Sequence, residues 1–209
     1  MPVGALRHLA AVAAPPRCAA CGSACPAAAV LCARCGAELR SSRALVDGTI
    51  PGVELAVAAA EHTGCPREIA HALKFGRRLA LARLAAEAIV RACPERELAG
   101  AIVPVPAAHW RWRWRGFDPA EEIALALAAR AGLPYRPCLR RAGGPRQVGR
   151  SRTARIADPP RVRAAGAVPR RALVVDDVWT TGATLCACAG ALRAAGAMEV
   201  IALTFVHSR

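Results

Sequence analysis

With 209 residues and 55% apolar side chains, the chain has material for one full α/β domain plus a small appended module. Charges interrupt every apolar run before it is long enough to span a bilayer. Lys and Arg number 29 against 15 Asp and Glu, and the resulting net charge of +14 favours polyanions such as nucleic acid, nucleotide phosphates or acidic lipid, although part of it follows from an Ala- and Arg-rich composition.

The first segment, Met1 to Ala14, carries only Arg7 and His8 ahead of a six-residue apolar run, too short for a convincing signal peptide, and predicts a short helix. Next come Cys18-Ala-Ala-Cys21-Gly and Cys32-Ala-Arg-Cys35-Gly, two Cys-x-x-Cys turns with ten residues between Cys21 and Cys32. Four thiolates in two such turns can close a tetrahedral Zn²⁺ shell, with the glycine after each turn expected to free backbone amides to point at sulfur. Metal would supply the folding energy that about twenty residues with almost no apolar core lack. Disulfide pairing is the alternative and requires an oxidising compartment, whereas reduced, metal-bound thiols place the protein in the cytoplasm. Cys25 is a spare ligand. Cys65, Cys93, Cys138, Cys186 and Cys188 are scattered and read as small core residues.

From about residue 53 the patterning predicts a twisted, mainly parallel sheet flanked by helices. A strand is expected over Val53–Ala59, then helices over Pro66–Phe75 and Leu79–Cys93. The first helix carries Lys74, the only lysine among 29 basic residues, and ends at Gly76. A compact point charge is wanted there if it meets an anion; otherwise Lys74 is solvated surface. A strand over Ala101–Val105 is halted by proline before Trp110-Arg111-Trp112-Arg113-Trp114-Arg115, where indoles and guanidiniums alternate. Interleaved rings and cations suit single-stranded nucleic acid, while the commoner case is a helix whose tryptophans dock on the core. A helix over Pro119–Ala131 follows. The Gly-, Pro- and Arg-rich stretch from about 143 to 160 reads as a phosphate-seeking loop or a solvated linker.

The most informative segment is Ala172-Leu-Val-Val-Asp176-Asp177-Val-Trp-Thr180-Thr181-Gly182-Ala183-Thr184. A strand over Ala172–Asp176, apolar on both faces, delivers two acids to its carboxyl end, the edge where open α/β sheets bind ligands. Gly182 permits close backbone approach, and a helix over Gly182–Ala195 would turn its N-terminus towards a bound anion, with the threonines as hydroxyl donors. The carboxylates would repel phosphate, so they suit sugar hydroxyls or a cation. The plainer alternative is an acidic turn and a helix capped by threonine. A last strand is expected over Val200–Phe205.

This segment resembles the phosphoribosyl pyrophosphate (PRPP) motif of type I phosphoribosyltransferases at every position. The resemblance implies that Asp176 and Asp177 hydrogen-bond the ribose 2′ and 3′ hydroxyls and that Thr180, Thr181, Gly182, Ala183 and Thr184 cradle the 5′-phosphate. Taken with Leu73-Lys74-Phe75-Gly76, Val103-Pro104-Val105-Pro106, Arg115-Gly116-Phe117, Gln147-Val148-Gly149, Ser151-Arg152 and the four-cysteine set, the chain resembles the ComF family of competence-related proteins over nearly its whole length. The resemblance implies a zinc-ribbon-like module within residues 1–42 and a type I phosphoribosyltransferase-like domain over 53–209. Two departures stand out: Asp118 and Asp158 occupy positions where the family usually has Asn, which exchanges an amide donor for a charge.

The implied chemistry is displacement of pyrophosphate from C1 of PRPP, with Mg²⁺ bridging pyrophosphate and ribose, Asp176 and Asp177 at the reacting sugar, and Lys74, Arg111, Arg113 and Arg115 meeting pyrophosphate oxygens. The general-base Asp that enzymes salvaging 6-oxopurines usually carry is replaced by Thr180, so the acceptor is open. The second reading is a non-catalytic factor that binds single-stranded DNA through Trp110–Trp114 and works with DNA-uptake proteins.

Overall fold

Alternation of side chains along the central strands explains the architecture. A strand turns successive side chains to opposite faces, so one that is apolar throughout must be covered on both sides. In the computed structural model, which describes residues 16–76, 79–107, 117–141 and 160–208, that is what happens. The central strands are β2 (Leu55–Glu61), β3 (Ala101–Pro104), β6 (Arg171–Trp179) and β7 (Glu199–His207). On one face Val57, Leu173, Val175, Ile201, Leu203 and Phe205 join the helical residues Ile69, Leu81, Ile89, Ile123 and Leu127. On the other, Ala56, Ala58, Ala172, Val174, Val200 and Ala202 pack with Leu185, Cys188, Ala189 and Leu192.

The five-stranded sheet runs β1-β2-β7-β6-β3, with β1 (Leu45–Asp47) antiparallel to β2 and every other pairing parallel. The fold is therefore mixed α/β with a mostly parallel central sheet. Helices α2 (Gly64–Gly76) and α3 (Leu79–Ala92) connect β2 to β3, α4 (Pro119–Ala131) follows β3, and α5 (Ala183–Ala194) joins β6 to β7. Beyond α4, Pro134 accepts from the Ile102 amide and Arg136 donates to the Ile102 carbonyl. These bonds lay the chain along the outer edge of β3 before it reaches a two-stranded antiparallel ribbon, β4 (Leu139–Arg141) with β5 (Val162–Ala164).

The expected helices and strands are present, with ends displaced by a few residues. β2 begins at Leu55 rather than Val53, because Val53 closes a turn on Ile50. β6 runs on to Trp179 rather than stopping at Asp176, since β7 keeps pairing with it as far as Trp179↔His207. The short strands β1, β4 and β5 and the helix α1 (Ala33–Arg40) are additions to the sequence reading. Helix α1 also changes the picture of the cysteine module. Cys32 stands at its N-cap and Cys35 within its first turn, so the second Cys-x-x-Cys opens a helix rather than a β-ribbon. Nor is the module without an apolar core: Cys18, Cys35 and Leu39 belong to the same buried cluster as Ile69 and Leu73. Cys65, Cys93, Cys138 and Cys188 are buried as expected, and Cys186 is half-buried. Among the described residues, no helix is long and apolar enough to cross a membrane. The helix expected before residue 15 and the stretch from 142 to 159, with Gln147, Ser151 and Asp158, lie outside the described residues.

Candidate functional site

Two places gather reactive side chains. The first is the cysteine module. The sulfurs of Cys18, Cys21, Cys32 and Cys35 all lie within 4.8 Å of one another, and Cys21 Sγ is 3.7 Å from Cys32 Sγ. A tetrahedron of ligands at about 2.3 Å from zinc has edges of about 3.8 Å, so this spacing suits a shared metal and not a disulfide. All ten cysteines are free of disulfides. This donor set could hold a metal ion such as zinc in a closed four-sulfur site. Cys25 stands outside the set, its thiol turned to the Ala29 carbonyl at 3.5 Å.

The amides that face sulfur are not those of the glycines. Gly22 N–H donates to the Cys18 carbonyl and Gly36 N–H to that of Cys32, closing the two turns. Burial acts to raise the Cys18 thiol, but amides of Cys21, Cys32 and Ala20 outweigh it and hold the group below its ordinary value. The Ser23 hydroxyl, 3.2 Å from Cys21 Sγ, and the Ser23 amide bring that thiol down to about 5. Cys35 is pushed up by burial and by its three neighbouring thiols, the electrostatic tension expected of four sulfurs that await a cation.

The second place is a cavity of about 230 Å³ at the carboxyl edge of the sheet. Its construction follows from two prolines. Pro104 and Pro106 cannot donate to a ladder, so β3 ends with Val105 N–H donating to the Val175 carbonyl at 2.9 Å. β6 overhangs that end, and the overhang carries Asp176 and Asp177 to the cavity wall. The chain then passes Thr180 and Thr181 to Gly182, the N-cap of α5.

Gly182 has φ +76°, a left-handed conformation, and a Cβ there would come 3.2 Å from Ile50 Cδ1 and 3.4 Å from Trp179 Nε1. Its small size therefore serves packing within the protein, and Gly182 also lines the cavity. Gly182 has no side chain with which to cap α5, and the Ala183 amide instead donates to Thr181 Oγ1 at 3.4 Å. One threonine thus serves in part as a helix cap, as the plainer reading of this segment expects, and the first turn of α5 lines the cavity together with Thr180, Thr181 and Thr184.

Charge in this cavity is unevenly satisfied. Lys74, in the last turn of α2, places Nζ 3.2 Å from Asp177 Oδ2. The contact is an ion pair without hydrogen-bond alignment, and among the described residues that buried oxygen has no hydrogen-bond partner. Asp176 Oδ1 accepts the Asp177 amide at 2.9 Å. Desolvation, with the like charge of Asp177, holds the Asp176 carboxyl well above the usual carboxylate range. His62 is held low by burial and by the Lys74 and Arg67 charges, so it adds no cation at neutral pH.

No protein-family model matches this chain, and no curated protein does.

Of the residues singled out in the sequence, the cavity gathers Lys74, Asp176, Asp177, Thr180, Thr181, Gly182, Ala183 and Thr184. Trp110, Arg111, Trp112, Arg113, Trp114 and Arg115 lie outside the described residues. The lining residues without a site assignment include Arg141, Trp179 and Asp118. Arg141, at the end of β4, donates through Nε to the Pro106 carbonyl at 3.1 Å; Trp179 sets its ring 4.6 Å from that of His207; and Asp118 caps α4. Asp118 carried a sequence signal, as an acid in place of the amide usual in the resembling family, and Trp179 lies within the acid-and-threonine segment. The Asp118 carboxyl is pushed up to about 6, first by burial and then by Asp177 and Glu121, against the helix amide of Ala120.

Proposed function

We propose that this protein binds PRPP with Mg²⁺ in the sheet-edge cavity and is a ComF-type phosphoribosyltransferase. One observation carries the reading. Two adjacent carboxylates and the threonine-rich N-terminus of α5 line the same cavity. A phosphorylated sugar needs both: acceptors for its hydroxyls, and amide and hydroxyl donors for its phosphate.

In this reading Asp176 and Asp177 accept from the ribose hydroxyls while the Thr180–Thr184 loop donates to the 5′-phosphate. Lys74 is released from Asp177 when pyrophosphate arrives, and Arg141, which lines the same cavity, adds a second cation. The carboxylates suit a hard cation, and Mg²⁺ carried in on the pyrophosphate would neutralise charge on the leaving group. Transfer forms a bond from an acceptor nucleophile to C1, breaks the bond from C1 to pyrophosphate, and releases the acceptor's proton. Held at both ends, the sugar presents C1 to the cavity mouth, and positioning of this kind supplies much of the rate.

The test is calorimetry with PRPP and Mg²⁺ on the wild type and on Asp176→Asn with Asp177→Asn. Binding is expected in the wild type and a loss of at least tenfold in the double variant. The variant's stability at neutral pH should be equal or higher, because an amide relieves the desolvated charge of Asp176. Unchanged affinity in a folded double variant would remove the acids from the site.

A further inference from the structure

We propose that Glu38 is a positioning residue for Lys74, through which the four-cysteine module holds α2 and couples metal binding to the sheet-edge cavity. The inference rests on the PRPP reading for the identity of the ligand, but not for the mechanical link.

The link begins at the N-terminus of α2, where helical amides have no partner within the helix. Cys65 N–H donates to Glu38 Oε1 at 2.6 Å, and Cys65 Sγ donates to the carbonyl of Cys35 at 3.2 Å. One of these acceptors belongs to a metal-ligating residue and the other lies one helical turn beyond it on α1. Gly64 stands at φ +48°, and a Cβ there would collide with the Glu38 carboxylate. The junction therefore admits the carboxylate only because residue 64 has no side chain. Ser41 and Ser42 both donate hydroxyls to the Glu38 carbonyl, fixing that end of α1.

From Cys65 to Lys74 the helix rises about 13 Å. Its buried stripe of Cys65, Ile69, Ala70 and Leu73 shares one cluster with Cys18, Cys35 and Leu39 of the module. A packed helix of this length moves as a unit, so a shift at its first turn is delivered to its last. There Lys74 is the ion-pair partner of an Asp177 oxygen that, among the described residues, has no hydrogen bond of its own. The position of Lys74 thus sets the charge balance at the acid pair, and the module sets the position of Lys74.

Coupling of this kind is reciprocal: whatever factor the metal adds to PRPP affinity, PRPP must add to metal affinity. Three measurements test it. In zinc-loaded, folded Glu38→Ala, affinity for PRPP·Mg²⁺ should fall about tenfold, and Glu38→Gln should recover part of the loss because its amide oxygen still accepts the Cys65 amide. Wild-type affinity in Glu38→Ala overturns the proposal. In the wild type, saturating PRPP·Mg²⁺ should raise zinc affinity against a zinc-selective chelator by a comparable factor. This arm needs no variant to fold, and an unchanged competition curve overturns the proposal. Should the wild type not bind PRPP·Mg²⁺ at all, the functional reading fails and the link is judged by hydrogen exchange. Amides of Leu73, Lys74 and Phe75 should exchange at least tenfold faster in zinc-loaded Glu38→Ala than in zinc-loaded wild type, and equal exchange removes the link.

Discussion

The cysteine module and the sheet domain are held together by different physics. In the sheet, β6 and β7 bury apolar side chains on both faces, and their stability is a sum over many contacts no one of which is decisive. In the module, four sulfurs lie within 4.8 Å, two of them exposed or half-buried, and among the described residues only Cys18, Cys35 and Leu39 are fully buried in the common core, with half-buried residues such as Val30 and Leu31 packed against it. The first kind of order degrades gradually under substitution; the second would hang on a single metal ion, which the four sulfurs could hold. Their junction at α2 is where one kind of order is handed to the other.

The largest effect should come from removing the metal. The purified protein is expected to hold one Zn²⁺ per chain, and zinc bound by four thiolates contributes on the order of 10 kcal/mol to folding of its module. Chelation should therefore abolish hydrogen-exchange protection over residues 18–40 while the amides of β6 and β7 stay protected. Loss of protection everywhere at once would show that the module is a cornerstone of the whole core, and no change would show that the four sulfurs hold no structural metal. The complementary break is Phe205→Ala, which empties a fully buried site on β7. It should cost about 3–5 kcal/mol by denaturant unfolding and leave zinc content at one per chain. A variant that loses zinc as well would contradict the division between the two regions.

Legibility in the sequence follows the range of the interactions. α4 was readable to the residue, because Asp118 at the N-cap, Pro119 at the first position and the left-handed Gly132 at the C-cap are all local signals. The four cysteines were readable because metal chemistry fixes ligand spacing. β1, β4 and β5 were not, being three residues each and stabilised by partners rather than by their own periodicity. Nor could the sequence pair Lys74 with Asp177, roughly 100 residues apart, bring Arg141 to the cavity, or reveal that β6 overhangs β3. Those are consequences of topology. The acids and the threonine loop were legible as chemistry; which charges compensate them was not.

A smaller and sharper probe of the sheet domain is Asp118, whose carboxyl is buried at the cavity wall facing Asp177 and Glu121 and titrates at about 6 rather than the ordinary 3.8. A carboxyl whose folded-state value is raised binds its proton more tightly folded than unfolded. Its charged form therefore penalises the native state: the penalty is absent below about pH 4, grows between about 4 and 6, and is complete above 6. From the size of the shift it amounts to roughly 2–3 kcal/mol. Asn caps a helix as well as Asp does, so Asp118→Asn should keep the bond to the Ala120 amide while removing the charge. The variant is expected to match the wild type in urea unfolding at about pH 3.5 or below and to exceed it by about 2 kcal/mol at pH 7.5. Asp176, shifted in the same direction, leaves some pH dependence in the variant, so the test lies in the difference between the two proteins. A difference that stays constant across this range would mean that the Asp118 charge is not desolvated by the fold, and that the cavity wall at the start of α4 is open to water.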